Sequence, residues 1–164
     1  MKILKIQALR GPNIWSVQRK KLIQMRLDLE EMEQFPTNKI EGFRERIEAM
    51  FPTMIEHRCS EGCRGGFFSR VERGTWMGHV IEHIALEIQT LAGMETGFGR
   101  TRETKTPGVY NVVFSYTEEN VGLFAAESAV AIAESLIAGT EYDVEADIQK
   151  MREIRERVRL GPST

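Results

Sequence analysis

The sequence is sparing with thiols and imidazole: two cysteines and three histidines occur in 164 residues. Cys59 and Cys63 lie four positions apart. A disulfide so closely spaced is a weak staple, so free or metal-bound thiols in a cytoplasmic chain are expected. A charge excess is also lacking. The chain has 22 Lys and Arg against 24 Asp and Glu, a net charge of −2, which argues against a nucleic-acid-binding domain. No apolar run approaches the roughly 18–20 residues of a bilayer span, so no membrane partner is expected. The start, MKILKIQALRGPN, is too short and interrupted for a secretory signal. The phosphate-binding pattern GxxxxGK[ST] is absent, so no nucleotide is expected.

What is present fits one domain with a real core: 41% hydrophobic and 28% charged residues. Residues 2–9 alternate as a strand. Residues 21–29 place Ile23, Met25, Leu27 and Leu29 at a period of two, a second strand. Residues 39–50 carry Ile40, Phe43, Ile47 and Met50 at helical spacing, and Pro52 stops that helix. TMIEHRC, 53–59, reads as a short strand and FFSRVERG as a short helix. Thr75 is placed to cap a helix over 76–92, with Gly93 as its stop. The segment 93–108 reads as a long loop, 109–117 as a fourth strand, and two helices follow. The expected architecture is a two-layer α+β domain over 1–160, with four mostly antiparallel strands and helices on one face. Residues 161–164 read as the start of a linker.

The helix over 76–92 holds the chemistry. Met77, Ile81, Ile84, Ile88 and Leu91 form an apolar stripe flanked by Val80, Ala85 and Ala92. His79, Glu82, His83 and Leu86 fall on roughly the opposite side. Glu82 and Glu87 are the only charged residues there, so that side is expected to be covered or to line a cleft. His79 and His83 at i and i+4 can chelate one ion. Glu82 at i+3 sits beside them as a base for an activated water, the arrangement H-x-x-E-H. Three readings stand: a catalytic metal, a structural metal with approximate Cys2His2 spacing over Cys59, Cys63, His79 and His83, or a polar face with satisfied histidines. For a third ligand Cys59, His57, Glu127 and Cys63 are all open. All three histidines and both cysteines fall within 57–83.

In GFGRTRETKTPGVY, Arg100, Arg102 and Lys105 form a basic cluster suited to clamping a substrate carboxylate. The alternative is a solvated loop.

KILKIQALRGPNIWS, EHRCSEGCRGGF, GTWMGHVIEHIALEIQTLAGM, GFGRTRETKTPGVYNVVFSY and LGPST together resemble the N-terminal domain of cyanophycin synthetases. The resemblance covers essentially the whole chain. It implies that ATP-grasp and Mur-ligase-like modules follow, which build a poly-aspartate carrying arginine on each β-carboxylate. It implies that this domain binds that polymer and, in some members, hydrolyses it at a zinc-dependent metallopeptidase-like site to make primers. On that resemblance His79, His83 and Cys59 are the expected zinc ligands, Glu82 the general base, and Arg100 an oxyanion or substrate-orienting group. Arg100, Arg102 and Lys105 are the expected substrate contacts. The alternatives are a non-catalytic polymer anchor and a structural zinc domain.

Overall fold

The computed structural model describes residues 1–17 and 21–161. Residues 162–164, most of the expected linker, lie outside the described residues. Four strands, β1 (Lys2–Leu9), β2 (Leu22–Asp28), β3 (Gly99–Glu103) and β4 (Val109–Ser115), form one sheet in the order β1-β2-β4-β3. Every pairing is antiparallel. Among the described residues five α-helices accompany it: α1 (Phe43–Met50), α2 (Gly66–Arg73), α3 (Met77–Leu91), α4 (Glu119–Ala138) and α5 (Val144–Leu160). This is the two-layer α+β architecture expected from the sequence.

Alternation on the strands decides which face is covered. Ile23, Met25 and Leu27 of β2 and Tyr110, Val112 and Phe114 of β4 point to one side. There they meet Met77, Val80, Ile81, Ile84 and Ile88 of α3 and Val121, Ala125, Ala129 and Ile132 of α4 in one apolar cluster. Burying each large apolar side chain stabilises the fold by roughly 1.5–3 kcal/mol. Among the described residues, the other face carries a small cluster, Trp15 with Leu22 and Val113, at one end. Elsewhere it carries amides: Gln7 donates to Gln24 at 2.8 Å and Gln24 to Asn111 at 3.2 Å, spanning three strands.

Four expectations change. TMIEHRC is not a strand: Pro52–Glu56 and Cys59–Glu61 are 3-10 turns, because Pro52 starts a turn and Gly62 in the left-handed region ends one. The strand that takes its place in the sheet is β3, hidden in the supposed loop by its polar sequence GRTRE, as suits a sheet edge, while the expected strand at 109–117 is β4. Thr75 does not cap α3; Trp76 holds the cap position with no side-chain bond. Finally, α4 is 20 residues long with a mean hydropathy of 1.6, enough by length and composition to cross a bilayer. Its small and branched residues instead pack into the core, 61% of the apolar window being buried.

Candidate functional site

The far side of α3 lines a cleft of about 1000 Å³, bounded by the 3-10 turns on one flank and by Thr96, Gly97, Gly99 and Thr101 on the other. The helix therefore has almost no solvent face, and His83 and Glu82 are 7% and 6% exposed. This explains the lack of Lys and Arg that the sequence shows there.

Cys59, His79 and His83 converge on one point, their ligand atoms all within 4.8 Å of one another. Cys59 Sγ lies 3.0 Å from His79 Nε2. The Nε2 atoms of His79 and His83 are 3.1 Å apart. Cys59 reaches the helix because its backbone sits in the left-handed region at φ 53°, an uncommon conformation for a non-glycine residue that marks functional turns. The turn is anchored locally: Phe67 N–H donates to His57 O at 3.1 Å and Gly65 N–H to Ile55 O at 2.7 Å.

The other ring nitrogens are engaged as well. His79 Nδ1 lies 3.0 Å from Thr75 Oγ1, and His83 Nδ1 lies 2.9 Å from His57 Nδ1. Phe67, fully buried, wedges between the rings, 4.4 Å from the centroid of His83 and 6.0 Å from that of His79. In the tautomers that place the proton on Nδ1 of both rings, the two Nε2 lone pairs and the sulfur of Cys59 face one another. Such a set is electrostatically awkward without a cation and suits a soft divalent metal.

Burial sets the electrostatics. It lowers His79 to about 4, aided by the charge of Arg70. It holds His83 well below the ordinary imidazole value, helped by His79 and His57. Neutral imidazole is the form that ligates a metal. Burial pushes Glu82 up to about 7, against the opposing pull of the Thr101 hydroxyl and the Arg100 charge. Thr101 Oγ1 donates to Glu82 Oε2 at 2.6 Å. Gly99 is required beside it, since a Cβ there would overlap the Glu82 carboxylate.

The structure thus gathers Cys59, His79, His83 and Glu82 in one cleft. It does not gather the other expected residues. Cys63 is exposed and outside the cluster, so the Cys2His2 set is not assembled. Glu127 is exposed on α4 and does not line the cleft. His57 contacts His83 rather than joining the ligand group. Arg100 alternates with Gly99 and Thr101 along β3, so it projects from the opposite side of the strand from Glu82. Its guanidinium lies 5.8 Å from the Phe98 ring centroid, and it is absent from the cleft wall. Arg102 lies on the same outer face, and Lys105 is exposed in the β3–β4 turn. Phe67, Thr101, Thr53 and Glu87 were missed from the sequence. Of these, Glu87 left a signal there, as the second charge, with Glu82, on a helix that carries no Lys or Arg.

Fold and site together define a two-layer α+β domain with a Cys/His/His group able to hold a metal ion. The family model of the cyanophycin synthase-like N-terminal domain matches residues 24–138, from β2 through the end of α4, and the chain belongs to this family. It is 52% identical to the cyanophycin synthetase of Synechocystis sp., with 100% of this chain and 19% of that protein aligned. The corresponding protein of Geminocystis herdmanii is 53% identical over 100% and 19%, and that of Nostoc sp. 52% over 100% and 18%. The chain spans about a fifth of the length of these relatives. It corresponds to the N-terminal domain of a cyanophycin synthetase.

Proposed function

We propose that this domain is a metal-dependent hydrolase of cyanophycin, cutting the polymer into short chains that prime its synthesis by the ATP-grasp and Mur-ligase-like modules of the full-length protein. One observation carries the reading: three soft donors converge on the wall of a cleft that the carboxylate of Glu82 also lines. His79, His83 and Cys59 would hold zinc or a similar divalent ion. When bound, such an ion supplies Lewis-acid activation of water and polarisation of the scissile carbonyl. Glu82, poised at about 7, takes a proton at its carboxylate and returns it to the leaving amine. Thr101 fixes that carboxylate by donating to Oε2. The free thiols fit a cytoplasmic setting.

The test is incubation with cyanophycin, with and without a chelator, counting new amino termini. Release abolished by the chelator, and lost by about 10²–10⁴-fold in Glu82→Gln with zinc binding retained, is expected. Undiminished cleavage in Glu82→Gln would sink the reading.

The anchoring reading is favoured by a separate observation, that Arg100 and Arg102 are exposed and stand on the sheet face away from the cleft. There they would meet the α-carboxylates of the polymer. The double variant Arg100→Glu, Arg102→Glu is expected to weaken polymer binding at least tenfold, the equivalent of about 1.4 kcal/mol. Equal retention of polymer by the native and variant proteins would remove these residues from the binding surface.

A further inference from the structure

The cleft contains a buried carboxylate and a third imidazole that the hydrolase reading does not use. Glu87 lies one turn beyond His83 on α3 and is 3% exposed. Its Oε2 lies 2.8 Å from His57 Nε2, and Thr53 Oγ1 donates to its other oxygen. His57 in turn lies 2.9 Å from His83. Burial alone would raise Glu87, but the bonds from His57 and Thr53 outweigh it and hold the carboxyl below its usual range. Glu87 and His57 therefore form a built unit, with the polar atoms that face each other engaged.

The direction of each bond follows from one condition. If His83 is to ligate through Nε2, its proton must sit on Nδ1. That proton is then donated to His57 Nδ1, which must be bare, so the His57 proton sits on Nε2 and is donated to Glu87. Each ring nitrogen has a single consistent role. His79 is held differently, by the neutral hydroxyl of Thr75. His57 itself is fixed by backbone bonds, its N–H donating to Met54 O at 3.0 Å and its carbonyl accepting from Phe67 N–H.

We infer that His57 is not a metal ligand but a positioning residue, which transmits the charge of Glu87 to His83, fixes the His83 tautomer and holds its ring toward Cys59 and His79. The inference rests on the metal-site reading for its purpose, but the same bond directions follow independently from an ionised Glu87, which can only accept from His57 Nε2 and so leaves His57 Nδ1 bare to accept from His83. A carboxylate linked to a ligating imidazole raises its basicity, and loss of such a partner weakens metal binding by about 10–100-fold. Here the carboxylate acts through an intervening imidazole.

The test has two parts. Nitrogen-15 NMR of the metal-free chain at pH 8 should show His83 protonated on Nδ1 and His57 on Nε2. Zinc affinity, measured by competition with a chromophoric chelator, should fall about 10–100-fold in His57→Phe. His57→Gln should restore most of it, because its amide can accept from His83 and donate to Glu87. Glu87→Gln should fall between. Circular dichroism checks that each variant is folded. His83 protonated on Nε2 in the native chain, or His57→Phe binding zinc as tightly as native, overturns the inference. A native chain that shows the stated tautomers but binds no zinc instead removes the hydrolase reading and leaves the assigned bonds standing.

Discussion

Gly99 and Glu82 make a tight pair. The glycine leaves room for the carboxylate against the inner side of β3, and Thr101 two residues on holds it there. Gly99→Ala should displace the carboxylate from the cleft, costing about 1–3 kcal/mol by overpacking and lowering kcat more than it raises KM. Urea denaturation and steady-state kinetics on cyanophycin check both, and an alanine variant with native kcat would show that this placement is not needed. At this scale the sequence was legible where chemistry and periodicity coincide. His79, Glu82 and His83 announce themselves by spacing on one helix. Cys59 was one of four candidates, because the turn that carries it, with a left-handed cysteine, has no periodic signal. The side that Arg100 faces was not legible, because a loop reading cannot say which way a residue points, whereas a strand settles it by alternation.

At the scale of elements, the site is assembled from α3, the turn at Cys59–Glu61 and the start of α2. Phe67 joins them. It is fully buried and touches all three imidazole rings. Phe67→Ala should cost about 3–5 kcal/mol, seen in the urea midpoint, and should weaken zinc binding as well by loosening ring orientation. A stability loss with native zinc affinity would show that Phe67 serves the core alone. The elements themselves were read with uneven success. The helices at 43–50, 66–73, 77–91 and 144–160 carry apolar residues at helical spacing, and 119–138 is apolar over most of its length. β3 gives no such signal, since its inward set, Gly99, Thr101 and Glu103, contains no large apolar residue. The proline-led turns at 52–61 imitate a strand because His57 and Cys59 alternate with arginine.

For the whole molecule, the apolar core does not depend on a metal, so chelation should leave the chain folded but inactive. A structural zinc domain would unfold. Stability of the metal-free chain should then depend on pH in two opposed ways. His79 titrates near 4 when folded against about 6.5 when unfolded. The unfolded chain binds the proton first, so this stability is complete above about 6.5 and lost as the pH falls through 4. Glu82 titrates near 7 when folded against about 4.3 when unfolded. Its contribution is complete below about 4.3 and lost as the pH rises through 7. Each amounts to something on the order of 3–4 kcal/mol. Glu82→Gln abolishes the second trend, so its stability advantage over native should widen from pH 5 to pH 8 in urea titrations with chelator present. A gap that stays constant would show that Glu82 is not strained by burial.

Helix α3 has one further consequence. Twelve of its fifteen residues are buried, one side committed to packing and the other to the cleft. Such a segment has almost no neutral positions across which mutations can accumulate. Drift in the lineage is therefore channelled elsewhere, into the outer strand residues and the charged face of α5. Divergent descendants of this domain should be traceable by residues 77–91 long after the rest of the chain has lost its likeness.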